Sequence, residues 1–322
     1  MILMILACVQ AGAKPGVAPP GVTDSEPQNS GTGIVSIAID GWWMIGALSA
    51  DGQVSYWDSA EQAPWTRGWL SVSGGPDGRV CAQADRGYAC VRSIPATTAL
   101  NRPPYPLSGA DWQRTTCLSS QNCCSLNTLG GLYCWGHEEK DGWVARSGVT
   151  DYSVAFNVGG DDVHYIQDGT VHRWGSFGAL DPAIAGEATA VGGSGDHACV
   201  LRPDGQIDCN DPADAWPAND PPPEGTFVSI SIGEHSNCAV SSAGDIQCWG
   251  MQDGDLFDTW MYATYDQPGA YTQVVVSDYL GCAITVDGCV ICWASWFDGT
   301  GNSASYPTPD NPLCHAGQVL TE

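Results

Sequence analysis

Short runs in which every second residue is apolar recur along the chain, in pairs separated by a glycine. The clearest pair is Cys238-Ala-Val-Ser-Ser-Ala-Gly244-Asp-Ile-Gln-Cys248-Trp249. A period of two places alternate side chains on one face of a β-strand. A three-residue loop, Ser242-Ala243-Gly244, then closes a hairpin in which glycine accepts the left-handed conformation. In that register residue 240 lies opposite 246 and residue 238 opposite 248, all on one face. A slip of one residue would turn the whole set to solvent.

Turn glycines at 52, 87, 130, 169, 205, 244 and 288 mark seven copies, 35 to 44 residues apart. The inner pair of the buried face is Leu48/Val54, Gln83/Tyr88, Leu126/Leu132, Tyr165/Val171, Leu201/Ile207, Val240/Ile246 and Ile284/Val290; thirteen of the fourteen are apolar, which makes Gln83 the exception to explain. The outer pair is two cysteines in five copies, and this register predicts the cross-strand disulfides Cys81–Cys90, Cys124–Cys134, Cys199–Cys209, Cys238–Cys248 and Cys282–Cys292. Each closes a small loop, worth about 2–3 kcal/mol on a chain-entropy estimate and less where the hairpin already joins the ends. The two copies without cysteine place Gly46 opposite Tyr56 and Val163 opposite Arg173. Cys117, Cys123, Cys289 and Cys314 remain, with three possible pairings, one of them Cys117–Cys123 with Cys289–Cys314. In Cys289-Val-Ile-Cys292 the offset of three puts the two sulfurs on opposite faces of a strand, against a redox pair.

A further alternating strand precedes most hairpins, as in Ile34–Ile39, Val228–Ile232 and Val274–Val276. Three strands cannot bury an apolar face alone, so the copies must stack, and seven short sheets suit a closed ring. The predicted fold is all-β, a seven-bladed β-propeller with disulfides inside the blades, over residues 34–322. Gly-Asp-His197-Ala-Cys199-Val-Leu201, Pro-Asp204-Gly205, Cys248-Trp249-Gly250, Gly254-Asp-Leu256 and Trp174-Gly175-Ser-Phe-Gly178-Ala-Leu180 resemble the repeat of the regulator-of-chromosome-condensation family of seven-bladed propellers. The cysteine-bearing form resembles copies in secreted and surface proteins of bacteria. The resemblance covers roughly 34–317 and is specific in the hairpins. Functions in that family range from nucleotide exchange and chromatin binding to enzyme inhibition by a secreted β-lactamase-inhibitor propeller, and no residue here matches a motif for the first two.

Charge narrows the partners. With 11 Lys+Arg against 36 Asp+Glu the net charge is −25, which disfavours nucleic acid and anionic membrane surfaces. The amino-terminal run Ile2–Ala7 is too short to span a bilayer. Ile5-Leu6-Ala7-Cys8 resembles a lipobox with Cys8 as the lipidated residue; cleavage after Ala11-Gly12-Ala13, or no cleavage, are the other readings. Residues 1–8 are therefore read as a signal or lipobox segment and 9–33 as a flexible Pro/Gly/Ser-rich linker. Fourteen cysteines besides Cys8 favour export into an oxidising compartment, as a surface or outer-membrane lipoprotein or a periplasmic or extracellular protein.

With all turn glycines on one rim, the longer segments 58–68, 136–150, 175–186, 210–224, 250–272 and 294–312 start on the opposite rim. They carry Trp65, Trp143, Trp216, Trp260, Tyr262, Tyr265 and Trp296, the candidate binding residues, together with Asp141, Asp214, Asp253, Asp255, Asp258 and Asp298. Aromatic anchors beside carboxylates suit a protein with basic edges or a carbohydrate. The reading is a monomeric, non-catalytic binding module without cofactor or transmembrane segment. The alternative is a glycosidase or lyase using paired loop carboxylates. His197 and His235 precede repeat cysteines as structural imidazoles, and His137-Glu-Glu139 lacks the second histidine of a zinc helix. Asp253, Asp255 and Asp258 do not have the spacing of an EF-hand loop. No metal is expected. Mass spectrometry of the unreduced chain after alkylation should find the ten hairpin cysteines unmodified, and all ten alkylated after reduction.

Overall fold

The alternating runs form strands in the computed structural model, which describes residues 33–39, 44–57, 62–66, 68–75, 79–84, 87–91, 112–117, 123–135, 145–157, 160–175, 184, 186–194, 197–210, 221–233, 236–250, 269–277, 280–294 and 312–314. Blade I consists of β1 (Ile34–Ile39), β2 (Ile45–Ser49), β3 (Gln53–Trp57) and β4 (Gln62–Thr66). Blade II holds β5 (Trp69–Gly75), β6 (Arg79–Ala84) and β7 (Gly87–Val91). Blade III holds β8 (Trp112–Cys117), β9 (Cys123–Asn127), β10 (Leu132–Trp135) and the short β11 (Ala145–Arg146). Blade IV holds β12 (Val149–Asn157), β13 (Gly160–Gln167) and β14 (Thr170–Gly175). Blade V holds β15 (Ala190–Ser194), β16 (His197–Leu201) and β17 (Ile207–Asn210). Blade VI holds β18 (Phe227–Ile232), β19 (Ser236–Ser241) and β20 (Ile246–Gly250), and blade VII holds β21 (Tyr271–Val276), β22 (Leu280–Thr285) and β23 (Val290–Ala294). All seven sheets are antiparallel in chain order, the arrangement of a seven-bladed propeller.

The core is seven seams, one between each pair of neighbouring blades. Period-two alternation gives each blade two apolar faces. One bears the staple: Cys238 and Cys248 of blade VI pack on Val274, Val276 and Ala283 of blade VII. The other bears the tryptophan that follows the second cysteine position. Trp57, Trp135, Trp174, Trp249 and Trp293 each pack toward the preceding blade. The last seam closes the ring, with Leu280, Cys282, Ile284, Val290 and Leu313 against Ile34, Ile37, Ile45, Ala47 and Trp57.

Seven disulfides are present, including the five predicted hairpin staples. The remaining cysteines pair as Cys117–Cys123 and Cys289–Cys314. The second of these holds the segment at 312–314 to blade VII, where Leu313 exchanges both backbone hydrogen bonds with Val290. Gly46 faces Tyr56 in the expected register.

Blade IV corrects one part of that register. Asp168-Gly169 makes a two-residue turn with positive φ at both positions, 52° and 75°, the geometry that matches strand twist best. The shorter loop shifts one strand by a residue. Ile166, not Tyr165, therefore lies opposite Val171, and His164, not Val163, lies opposite Arg173. Tyr165 turns to the opposite face and stacks on His172 at 5.2 Å. His164 thus occupies a position that is cysteine in five other blades.

Blades are latched at the turns. The carbonyl of Gly52, Gly130, Gly169, Gly205, Gly244 and Gly288 accepts a hydrogen bond from the amide of Trp69, Val149, Ala188, Phe227, Tyr271 and Ile34, each at the entry to the next blade, over 2.7–3.0 Å. Gly288 makes the closing bond to Ile34; its φ is +77°, and a Cβ there would stand 3.1 Å from Gly33 Cα. Gly288→Val should therefore strain the backbone and push the closing seam apart. It should lower stability by about 1–3 kcal/mol, read as a fall in Tm.

Candidate functional site

The first strand of each blade lines the inside of the ring, where side chains bridge to the backbone of neighbouring blades. Ser71 Oγ donates to the Gln113 carbonyl at 2.7 Å and Ser73 Oγ to that of Thr115, joining blades II and III. Gln273 joins blade VII to blade I through both the amide and the carbonyl of Ile37, each at 3.3 Å. The Val276 amide donates to Ser231 Oγ at 2.9 Å across the VI–VII seam.

The strongest electrostatic feature of this inner wall is Arg114 on β8. Its Nη2 donates to Asp151 Oδ1 at 2.8 Å and to the Tyr152 carbonyl, and its guanidinium lies 4.3 Å from the centre of the Tyr152 ring. The other carboxylate oxygen of Asp151 accepts from the Val191 amide at 3.1 Å, so one ion pair ties blades III, IV and V. Burial works against the charge on Arg114, but Asp151 and the Tyr152 side chain outweigh it and raise its pKa. Burial raises the pKa of the Tyr152 hydroxyl as well, and that hydroxyl donates to the Cys124 carbonyl at 3.0 Å. The cluster is spent on ring structure.

Gln83, the one polar residue of the inner pairs, is 1 % exposed and fully used. Its Nε2 donates to the carbonyls of Ala84 and Gly87 at 2.6 and 2.9 Å, and its Oε1 accepts from Thr115 Oγ1 at 2.6 Å. This is the seam whose two-residue hairpin loop makes no glycine latch among the described residues, and Gln83 supplies the bridge to blade III in its place.

His164 is 0 % exposed at the IV–V seam, and neither ring nitrogen has a partner among the described residues. Its Nδ1 would lie 2.4 Å from a Cβ at Gly193 of blade V. Burial lowers its pKa to about 3, and the nearby Arg173 and His197 push in the same direction.

The described residues hold two clusters with metal-ligand spacing, Cys81/Cys90/Cys117 and His197/Cys199/Cys209. All five of these cysteines are in disulfides, and metal binding needs the thiolate. Neither cluster is a metal centre in the oxidised fold. No helix among the described residues is long and apolar enough to cross a membrane.

Of the residues expected on the loop rim, Trp143, Trp216, Trp260, Tyr262, Tyr265 and Trp296 lie outside the described residues, as do Cys8 and the segments 1–8 and 9–32. Trp65 is corrected. It lies on β4, with Val54 as its Cα partner, and Val54 is two residues from the Gly52 turn. The segment expected to be irregular is an outer edge strand that returns toward the turn rim, and Pro64 is tolerated there because an edge strand leaves one side unpaired. Connections between blades accordingly start on the far rim and end on the turn rim, where the next blade is latched.

The turn rim carries features that the repeat pattern did not single out. β1, β5, β8, β12, β18 and β21 each contain a bulge at their second residue, which leaves that side chain facing outward. Val35, Leu70 and Val228 occupy bulges and are 37–50 % exposed; Leu129 and Val286, at 73 and 57 %, sit on the turns themselves. Three of these strands open on two consecutive apolar residues, Ile34-Val35, Trp69-Leu70 and Phe227-Val228, and that break in the alternation was the available signal. Turn acids are engaged locally: Asp51 accepts from Ser49 Oγ and, at 2.8 Å, from Gln53 Nε2, and the Ser49 bond is the main cause of its lowered pKa.

No protein-family model matches the chain, and no curated protein matches it. Solved structures do. The ectodomain of the receptor kinase CR4 of Physcomitrella patens superposes with a TM-score of 0.57 at 18 % identity, covering 82 % of this chain and 74 % of that one. Prp20p of Saccharomyces cerevisiae, the yeast regulator RCC1, whose binding to Gsp1p and histones its structural description reports, gives 0.54 at 12 % identity over 76 % and 80 %. YCF48 bound to the D1 peptide gives 0.51 at 11 % identity over 82 % and 92 %. The fold defined by the seven sheets is a seven-bladed β-propeller, and at these identities the similarity is one of fold.

His164 gives a signed pH dependence. Between pH 6.5 and about 3 the unfolded chain binds a proton that the folded chain excludes, so this contribution is complete above pH 6.5 and is lost on acidification. The loss approaches about 1.4 kcal/mol per pH unit within the window. His164→Leu should flatten the pH dependence of Tm between 6 and 4 relative to the wild-type chain.

Proposed function

We propose that the chain is a non-catalytic binding module, exported and displayed outside the cytoplasm, which engages a partner through the rim where the inter-blade connections begin. The carrying observation is the latching of the turns. Six of seven glycine carbonyls are committed to the next blade, so the turn rim is short-looped and stiff. The inter-blade connections 92–111, 211–226, 251–270 and 295–311, with 136–144 between β10 and β11 of blade III, supply the length for recognition. Binding residues on loops held by a rigid scaffold are the usual arrangement. Trp143, Trp216, Trp260, Tyr262, Tyr265 and Trp296 lie in these connections, whereas Trp65 belongs to the blade edge and leaves the set.

The net charge of −25 favours a partner with a basic protein surface and disfavours nucleic acid; a glycan stacked on the tryptophans is the other ligand class the loops suit. The similarity in fold to Prp20p and YCF48, both described with protein or peptide partners, supports a protein. Seven disulfides support an oxidising compartment, and Cys8 is the point at which a lipid would anchor a monomeric propeller through the 9–33 linker.

The test uses the immobilised 34–322 fragment to capture a partner from surface or periplasmic extracts, followed by affinity measurements with the purified partner. Trp260→Ala with Trp296→Ala should weaken binding at least ~10-fold with Tm unchanged. Leu129→Asp with Val286→Asp, on the opposite rim, should leave it intact. A partner that still binds the tryptophan double variant removes the loop-rim assignment.

A further inference from the structure

Two of the seven disulfides touch. At the other stapled seams the disulfide of one blade faces the aliphatic and tryptophan side chains of the next. At the seam between blades II and III the staple Cys81–Cys90 meets a second disulfide, Cys117–Cys123, on the facing side of blade III. Cys90 Sγ lies 3.4 Å from Cys117 Sγ, and the sulfurs of Cys81, Cys90 and Cys117 are all within 4.8 Å of one another. This is closer than an ordinary apolar contact. Tyr88 and Trp135 complete the cluster, with ring centroids 5.8 Å apart, and the Tyr88 hydroxyl points its donor at Cys123 Sγ over 3.9 Å.

We propose that this seam is a thiol–disulfide exchange site whose co-substrate is an external dithiol. Cys81, Cys117 and Cys123 are 0, 2 and 3 % exposed, while Cys90 is only half-buried, so Cys90 is the sulfur a reagent reaches. The dithiol attacks Cys90 Sγ and displaces the Cys81 thiolate. Its second thiol then closes on the first, leaving as a disulfide and freeing the Cys90 thiolate. The two electrons come from the dithiol, and Cys81 takes up one of its protons. In the second step, which is redox-neutral, the Cys90 thiolate attacks Cys117 Sγ and the Cys117–Cys123 bond breaks. Cys123 leaves as a thiolate and takes the second proton. Tyr88 O–H is placed to donate to that developing charge, and a stabilised leaving thiolate leaves faster. The product carries Cys90–Cys117, a covalent link between two blades, in place of two links within blades. Among the described residues, it forms at the one seam where the turn glycine, Gly87, gives its carbonyl to Gln83 and not to the next blade.

The full chain is treated with limiting dithiothreitol, quenched with iodoacetamide at intervals and analysed by peptide mass spectrometry. Among chains that have lost the Cys81–Cys90 bond, the expected product links Cys90 to Cys117 and carries alkyl groups on Cys81 and Cys123. Chains in which Cys81 and Cys90 are both alkylated and Cys117–Cys123 persists would overturn the proposal. As a second reading, Cys81→Ser with Cys123→Ser, oxidised in air, should form Cys90–Cys117. Free, alkylatable Cys90 and Cys117 in a folded double variant would count against it. Tyr88→Phe should slow the appearance of the exchanged product about five-fold, the weight of one hydrogen bond, and an unchanged rate would remove Tyr88 from the leaving-group role.

Discussion

The constraint that governs this molecule is closure. Each blade has two unlike faces, one carrying a staple in five blades and the other a tryptophan in five, and every seam joins one face of each kind, so the interface is the same head-to-tail contact repeated around an axis. A heterologous contact of this kind yields a ring only when the rotation per step brings the last unit back to the first. Here the last unit meets the first through Gly288 and Ile34, through Gln273 and Ile37, and through a shared apolar cluster. Among the described residues, blade I is built from the first part of the chain and blade VII from the last, with no strand exchanged between them. Leu313 and the Cys289–Cys314 bond fasten the final segment to blade VII alone. Closure is therefore a matter of packing and a few hydrogen bonds.

Much of this was legible in the sequence because the information was local. Alternation, turn glycines and cysteine spacing specify a hairpin within about a dozen residues, and five staples follow from one register. The register of blade IV departs from the repeat for an equally local reason: Asp-Gly closes three-residue loops at 51–52, 204–205 and 287–288 but a two-residue loop at 168–169, and the dipeptide alone does not distinguish them. What could not be read was what each face meets. Gln83 breaks the apolar pattern because Thr115, 32 residues away, needs an acceptor. Trp65 looks like a loop residue until the fourth strand is seen to pair with β3. The contact between Cys90 and Cys117 exists only because two blades are side by side.

The candidate surfaces differ in kind. Inside the ring, Arg114, Asp151 and Tyr152 are charged or polar but bound to one another and to three blades. The turn rim is stiff, with scattered aliphatic residues at its bulges and turns. The tryptophan-bearing connections have the length and composition for recognition, on a scaffold whose strands are held by covalent bonds in five blades. The division separates the parts that set the frame from those free to vary with a ligand.

Because the joint between blades VII and I repeats the joints elsewhere, an opened molecule would carry two ends that fit each other. On a single chain those ends find one another at high effective concentration and the circle forms. A lesion at Gly288 or Gln273 would leave them available to other copies. Its product would be head-to-tail oligomers growing with protein concentration, with each blade still folded.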